Sequence, residues 1–279
     1  MSIKLDETQL KEKIISLRVA ILKMLYHAGS GHPGGSLSAI DIIASLYYRI
    51  MNYDPNDIDK KQRDRFILSK SHCCPALYAV FADLGYFDVE QLTTLRQIDS
   101  ILQGHPCMER TPGIEVSAGS LGQGLSVAVG MALAYRMDNI DNRIYCMVGD
   151  GESQEGQIWE AAMSAGYYKL DNLCCILDSN KLQIDGFVTD VMDINPIKEK
   201  WLAFNWNVIE IDGHNLSEIS KAFSQAEQLK GKPTIIVADT VKGKGVSFME
   251  NKAEWHGVAP NKEQCELAIF ELTGKEVTL

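Results

Sequence analysis

At 279 residues, 46% hydrophobic and 23% charged, the chain has an ordinary globular composition and room for one large α/β domain or two small ones. A formal net charge of −10 argues against a nucleic-acid surface, so an anionic ligand has to be held locally, by a metal, backbone N–H groups or histidines. No apolar run approaches the ~18 residues of a membrane span, the N-terminus lacks a signal-peptide core, and seven cysteines without a CxxC pair read as reduced, mostly buried thiols, so a cytoplasmic protein without membrane attachment is expected.

Residues 6–28 carry Leu10, Ile14, Leu17, Ile21, Met24 and Ala28 on one stripe and read as an amphipathic helix. Gly29-Ser30-Gly31-His32-Pro33-Gly34-Gly35 follows; four glycines and a proline in seven residues predict an irregular, backbone-exposed loop holding His32. Ser36 or Ser38 is placed to cap the next helix, Ser38 with Asp41 resembling a capping box. Residues 52–64 are polar and read as a surface connection. Residues 65–69 read as a strand running straight into Lys70-Ser71-His72 and a helix through Leu77, Val80, Phe81 and Leu84, which sets His72 at a strand-to-helix junction. His105 lies in Gln103-Gly104-His105-Pro106. The stretch Ser117-Ala118-Gly119-Ser120-Leu121-Gly122-Gln123-Gly124 opens a long helix, a glycine-rich turn that lets backbone approach a flat ring or a phosphate.

Residues 143–148, apolar almost throughout, read as a buried parallel strand that stops at Gly149-Asp150-Gly151. A helix through Trp159, Ala161, Ala162, Ala165 and Gly166 leads to a second strand over 172–178, with Asn180 just past its end. A βαβ unit brings its two strand ends to one sheet edge, so Asp150 and Asn180, thirty positions apart, face one site. One carboxylate, one amide oxygen and free backbone carbonyls suit a hard divalent cation shared with a phosphate; the competing reading is a metal-free turn capped by Asp150. Residues 187–200 read as a polar loop, 206–211 as a strand, 216–229 as a helix and 234–240 as a buried strand. Lys242-Gly243-Lys244-Gly245 either steers phosphate with its lysines or is a mobile surface loop. Trp255-His256-Gly257 precedes a last helix starting at 261–264. Strands and helices alternate, so the fold class is α/β, a mostly parallel sheet with helices on both faces.

His32, His72, His105 and His256 share a setting, each in a Gly-, Pro- or Ser-rich loop beside an element end. Imidazoles there can hydrogen-bond phosphate or sugar hydroxyls and move protons near neutrality. His27 and His214 read as structural. Glu155 and Glu160 follow the metal turn and, on sequence alone, read as a solvated helix face.

Together these motifs resemble the transketolase family. Gly31-His32-Pro33-Gly34, Ser71-His72, Gly104-His105-Pro106, Leu121-Gly122-Gln123-Gly124, Gly149-Asp150-Gly151, Asn180, Ile184-Asp185-Gly186 and His256-Gly257 occur in that family's order, over nearly the whole chain. The match covers only the family's N-terminal half. The resemblance implies a single thiamin-diphosphate-binding domain over 1–279, with Mg²⁺ (or Ca²⁺ or Mn²⁺) held by Asp150, Asn180 and the carbonyl of Leu182. It implies that Gly151 and His72 contact the diphosphate, the backbone of Gly119, Ser120 and Leu121 the aminopyrimidine, and His256 both diphosphate and substrate. His32 and His105 would bind the donor sugar's hydroxyls and assist proton transfer, and Glu155 and Glu160 would match an acidic cluster linking paired sites. Ser71 departs from the glycine expected before the histidine. The implied reaction is transfer of a two-carbon ketol unit from a ketose phosphate or related donor to an aldose phosphate. The implied partner is a C-terminal transketolase subunit carrying the pyrimidine-binding domain and its activating glutamate, in an α2β2 heterotetramer. A 2-oxo-acid dehydrogenase α-subunit shares the metal motif, and a non-catalytic cofactor-binding paralogue is the third possibility; the run of histidines favours transketolase. The donor stays open among a common ketose phosphate, a branched sugar phosphate and a sulfonated ketose.

Overall fold

The computed structural model describes residues 4–279. Strands β1 (Arg65–Leu68), β2 (Ile144–Gly149), β3 (Leu173–Ser179), β6 (Asn207–Asp212) and β7 (Thr234–Asp239) form one sheet in the order β1-β2-β3-β7-β6, every neighbouring pair parallel. A small antiparallel hairpin, β4 (Leu182–Gln183) and β5 (Gly186–Phe187), follows β3 directly. The helices are α1 (Glu7–Ala28), α2 (Pro33–Ser45), α3 (Cys74–Asp83), α4 (Gln123–Met137), α5 (Gly156–Tyr167), α6 (Val188–Val191), α7 (Ile197–Ala203), α8 (Leu216–Gln228) and α9 (Lys262–Thr273).

Strand side chains alternate between two core layers. Tyr145, Met147, Cys174 and Ile176 pack with α1, α2, α3 and α8 on one face; Ile144, Cys146, Leu173 and Cys175 pack with α4, α5 and Trp201 of α7 on the other. The adjacent Cys174 and Cys175 therefore belong to different layers, and the cysteines are free. The expected α/β class and parallel sheet are borne out. The register aligns Leu68, Met147, Ile176 and Ile236 across four strands, so Lys70, Asp150, Asn180 and Thr240, just past the strand ends, share one edge.

Four local expectations are corrected. Residues 33–35 are not loop: α2 starts at Pro33, a residue whose fixed φ suits a first helical turn. Gly34 and Gly35 serve close packing there, since a Cβ on Gly34 would lie 2.8 Å from Lys242 Cγ, and one on Gly35 2.6 Å from Cys73 Sγ. Ser38 is consequently mid-helix and caps nothing; its hydroxyl donates to Asp178 at 2.7 Å. Residues 187–200 are not a plain polar loop but contain α6 and the start of α7, because Ile197 and Trp201 stand four apart on one helix face and Trp201 is fully buried. The connection over 52–64 buries its end: Arg63 pairs with Glu115, and Asp64 accepts from the Asn52 and Arg143 N–H groups.

Candidate active site

The strand-edge residues open into a cavity of about 340 Å³. Asp150, Gly151, Asn180, Leu182, Gly119, Leu121 and all four candidate histidines line it, whereas Ser120 and Glu160 do not. Glu155 is at its rim, and both glutamates are exposed in this chain. Glu155 is also the residue just ahead of α5, which begins at Gly156 after a short 3₁₀ turn, rather than a position within the helix.

Asp150 is buried at the end of β2. One carboxylate oxygen accepts the Gly151 N–H at 2.7 Å and the other the Lys181 N–H. Asn180 presents Oδ1 to the Leu182 N–H at 3.2 Å while its Nδ2 turns inward to Ser38 Oγ (3.4 Å) and Asp178 Oδ2 (3.5 Å). Asp178 anchors this layer: it also accepts from Lys70, Ser38 and Thr240. Lys70 holds the Asp178 carboxyl below its usual range despite burial, and Asp178 in return holds the Lys70 ammonium above its own.

Burial first, and then the neighbouring Asp178 charge, push the Asp150 carboxyl up to about 6. A buried carboxylate that costs this much to ionise is under-compensated, and a cation at its oxygens would offset the cost. In the same wall Gln183 Nε2 is buried with no acceptor. Among the described residues no cluster of three or more His, Cys, Asp or Glu is arranged for a metal. The donors on offer are hard oxygens, a set that fits Mg²⁺.

Lys242 is not on a mobile surface loop. It is buried, with Nζ 3.0 Å from the Leu182 carbonyl oxygen and 3.0 Å from His256 Nδ1. Burial first, then Lys70, lower its ammonium to about 8. The carbonyl keeps a second lone pair for a metal. The chain approach to Lys242 is held by His214, which donates from Nδ1 to Asp41 at 2.6 Å and accepts the Val241 N–H on Nε2 at 2.9 Å, the structural part expected of it. Lys244 stays at the surface beside Glu250 at 3.5 Å.

His32, His72 and His256 form a triangle with ring centroids 5.1–5.5 Å apart, His72 stacked on His256. Burial, reinforced by neighbouring cations, lowers all of them: His32 to about 4, with Arg96 next in weight, His256 to about 3, with Lys242 next, and His72 well below its ordinary value, with Lys70 next. Near neutral pH these imidazoles are uncharged, so they offer one N–H and one lone pair each. His105 stands across the cavity against Gly119. Ser71 lies in a 3₁₀ turn without the left-handed backbone that would require glycine, so the departure there leaves His72 in place.

Sequence reasoning gave no role to Lys70, Asp178, Glu152 or Arg96. Glu152 is buried and ties three elements together, accepting from Ser69 Oγ, the Gly122 N–H at 2.9 Å and the Gly149 N–H at 3.0 Å. Gly122, at φ +84°, permits the left-handed turn that brings its N–H there. Lys70 and Asp178 were legible in principle, because each ends an apolar strand as Asp150 and Asn180 do.

Residues 10–272 match the protein family described as "Transketolase, thiamine diphosphate binding domain". Among curated proteins, the chain is 47% identical to the 6-deoxy-6-sulfo-D-fructose transketolase subunit SqwG of Clostridium sp. (strain MSTE9), over 96% of this chain and 97% of that protein. It is 44% identical to an apulose-4-phosphate transketolase subunit from Phocaeicola vulgatus, over 92% and 91%. Among solved structures, the transketolase of Campylobacter jejuni superposes with a TM-score of 0.91 at 35% identity, covering 98% of this chain and 44% of that one. The chain thus spans nearly all of the two subunits and less than half of the longer transketolase.

Proposed function

This chain belongs to the transketolase family, as its thiamin-diphosphate-binding part, and from that premise we propose that it is the N-terminal subunit of a two-subunit transketolase. It transfers a two-carbon ketol unit from an anionic ketose to an aldose phosphate in the cytoplasm, and its 279 residues form one cofactor-binding domain. The observation that carries the reading is the convergence of a hard-oxygen donor set, a buried lysine and four histidines in one cavity. The names of the two similar subunits support a donor that carries phosphate or sulfonate.

Thiamin diphosphate supplies, when bound, the nucleophilic carbon and the electron sink for breaking the ketose carbon–carbon bond. Asp150, Asn180 and the Leu182 carbonyl would hold Mg²⁺ (Ca²⁺ and Mn²⁺ offer the same preference for oxygen). Lys242, His72 and the Gly151 backbone would hold the diphosphate, and the backbone of Gly119 and Leu121, without Ser120, which lies outside the cavity, would hold the aminopyrimidine. His256, bonded to Lys242 and stacked on His72, would hold both the diphosphate and the substrate. His32 and His105 hydrogen-bond donor hydroxyls and carry protons to and from them.

The partner is a C-terminal transketolase subunit, in a heterotetramer of two copies of each chain that covers the faces around 119–124 and 155–160. Leu121, a large apolar side chain 37% exposed at the cavity, and the exposed Glu155 and Glu160 support that placement. Calorimetric titration of thiamin diphosphate with and without Mg²⁺, followed by ketose phosphate or pyruvate offered to the reconstituted complex, tests the reading. Turnover of pyruvate alone would favour a 2-oxo-acid dehydrogenase, and cofactor binding without turnover of either a non-catalytic paralogue.

Two variants probe separate parts of the cavity. Lys242→Met keeps the buried stem and removes the charge. It is expected to weaken thiamin diphosphate binding by about 10- to 100-fold, the worth of one hydrogen bond to a charged group; unchanged affinity by calorimetry removes Lys242 from the diphosphate site. His32→Ala is expected to lower kcat/KM by about 10²- to 10⁴-fold with cofactor affinity little changed. Normal steady-state kinetics combined with weakened cofactor binding would reverse that assignment.

A further inference from the structure

The two Gly-His-Pro turns, at His32 and His105, share one neighbour. Arg96 adopts a left-handed backbone (φ +63°) and is pinned there by its N–H, which donates to the Leu102 carbonyl at 2.9 Å. Its guanidinium lies against Gly104: a Cβ on that glycine would sit 3.0 Å from Arg96 Nε, 3.2 Å from Cζ and 3.3 Å from Nη2. A Cβ on Gly31 would sit 4.0 Å from the same Nε. The guanidinium thus spans the glycines that precede both histidines, and Nη2 reaches His32 Nδ1 at 3.5 Å. Arg96 is exposed and outside the cavity wall, and among the described residues it makes no ion pair, so water rather than a carboxylate screens its charge beside His32.

We propose that Arg96 is a positioning residue that holds His32 as the neutral tautomer protonated on Nε2, so that His32 meets the donor sugar as a hydrogen-bond donor. A guanidinium has five N–H donors, no acceptor, and does not lose its proton in proteins. The ring atom facing it has to present a lone pair, which leaves the single proton on Nε2. That nitrogen lies toward Gly257, 3.7 Å from where a Cβ on that glycine would sit. The charged and titratable groups around His32 are Arg96, His105, Lys242 and Lys70, with the His72 and His256 rings; every one is cationic or becomes so on protonation, so each works against a second proton on the ring. His105 feels Arg96 in the same sense. A neutral imidazole donating from Nε2 polarises a sugar oxygen without carrying charge into a site that already holds Lys70 and Lys242.

The use of that N–H on a sugar rests on the proposed function; the protonation state does not, and it is measured on the full chain without cofactor, partner or substrate. The chain is labelled with ¹⁵N-histidine, and His32 is assigned among the six histidines by its absence from the His32→Ala spectrum. At neutral pH the expected His32 signals are a pyridine-type Nδ1 and a pyrrole-type Nε2, with a titration midpoint far below the ordinary histidine value. In Arg96→Met the midpoint rises, by less than burial alone lowers it, and the tautomers mix. Arg96→Lys, which keeps the charge, retains the low midpoint. A strut with no electrostatic part would lower the melting temperature of Arg96→Met and leave the His32 signals as they were, which overturns the proposal. So does an Nδ1-protonated His32 in the unmodified chain, a result independent of whether either variant folds.

Discussion

Asp150→Ala is expected to remove metal-dependent binding of thiamin diphosphate while the chain stays folded. The carboxylate accepts two backbone N–H groups, Gly151 and Lys181, and leaving both unpaired costs about 1–3 kcal/mol each. Against that, the variant removes a buried charge. The rise of the Asp150 carboxyl to about 6 corresponds to about 3 kcal/mol of unfavourable environment for the ionised form, so the two effects nearly cancel in the metal-free chain. With the cation they no longer cancel. Asp150 is the one anionic group among the three proposed donors, and losing even an outer-shell partner of a metal site costs about 10- to 100-fold in affinity. Loss of the anionic ligand itself should therefore cost at least about 100-fold. The measurement is a pair of calorimetric titrations, with Mg²⁺ and with chelator, alongside a thermal melt. If Mg²⁺ still strengthens cofactor binding in the variant, the cation is not at Asp150.

How much of this site was legible in the sequence follows from how far apart the interacting residues are. Asp150 and Asn180 could be placed together because both follow apolar strands joined by a single helix, and parallel strands end on one edge. The four histidines could be gathered by their like surroundings. Lys242 could not be decided. Its loop reads equally as phosphate-steering or as mobile surface, and its stem packs against Gly34 in α2, which the glycine-rich composition makes a loop. The open reading of Lys242 and the wrong loop over 33–35 have one cause: Gly34 and Gly35 are small because Lys242 and Cys73 pack against them, a long-range reason that local propensity does not contain. Arg96 was hidden in the same way. Its partners, Gly31 and Gly104, are visible only as turn residues until the chain is folded. Helix α7 was missed for a simpler reason, since Lys198, Glu199 and Lys200 mask a two-residue apolar stripe.

Assayed by itself with thiamin diphosphate, Mg²⁺ and a ketose–aldose pair, the 279-residue chain is expected to show no turnover. The cofactor has to be activated by an acid at its aminopyrimidine, which the proposed function places along the wall of Gly119 and Leu121. Three acids line the cavity: Asp150, Glu152 and Glu155. Asp150 has both oxygens on backbone N–H groups beside the proposed metal, 2.7 Å from Gly151 for one of them. Glu152 is buried with both oxygens taken by Ser69, Gly122 and Gly149. Glu155 stands exposed at the rim, against Gly122, in the region expected to meet a second chain. Neither buried acid is free to face the ring, and Glu155 belongs to the proposed subunit interface, so the activating acid is expected from a pyrimidine-binding chain. Adding that chain should convert a cofactor-binding protein into an active enzyme, and the rate should saturate at equal numbers of the two subunits. Robust turnover by the isolated chain, at a rate no partner raises, would mean that the activating acid lies within these residues and that the two-subunit reading is wrong.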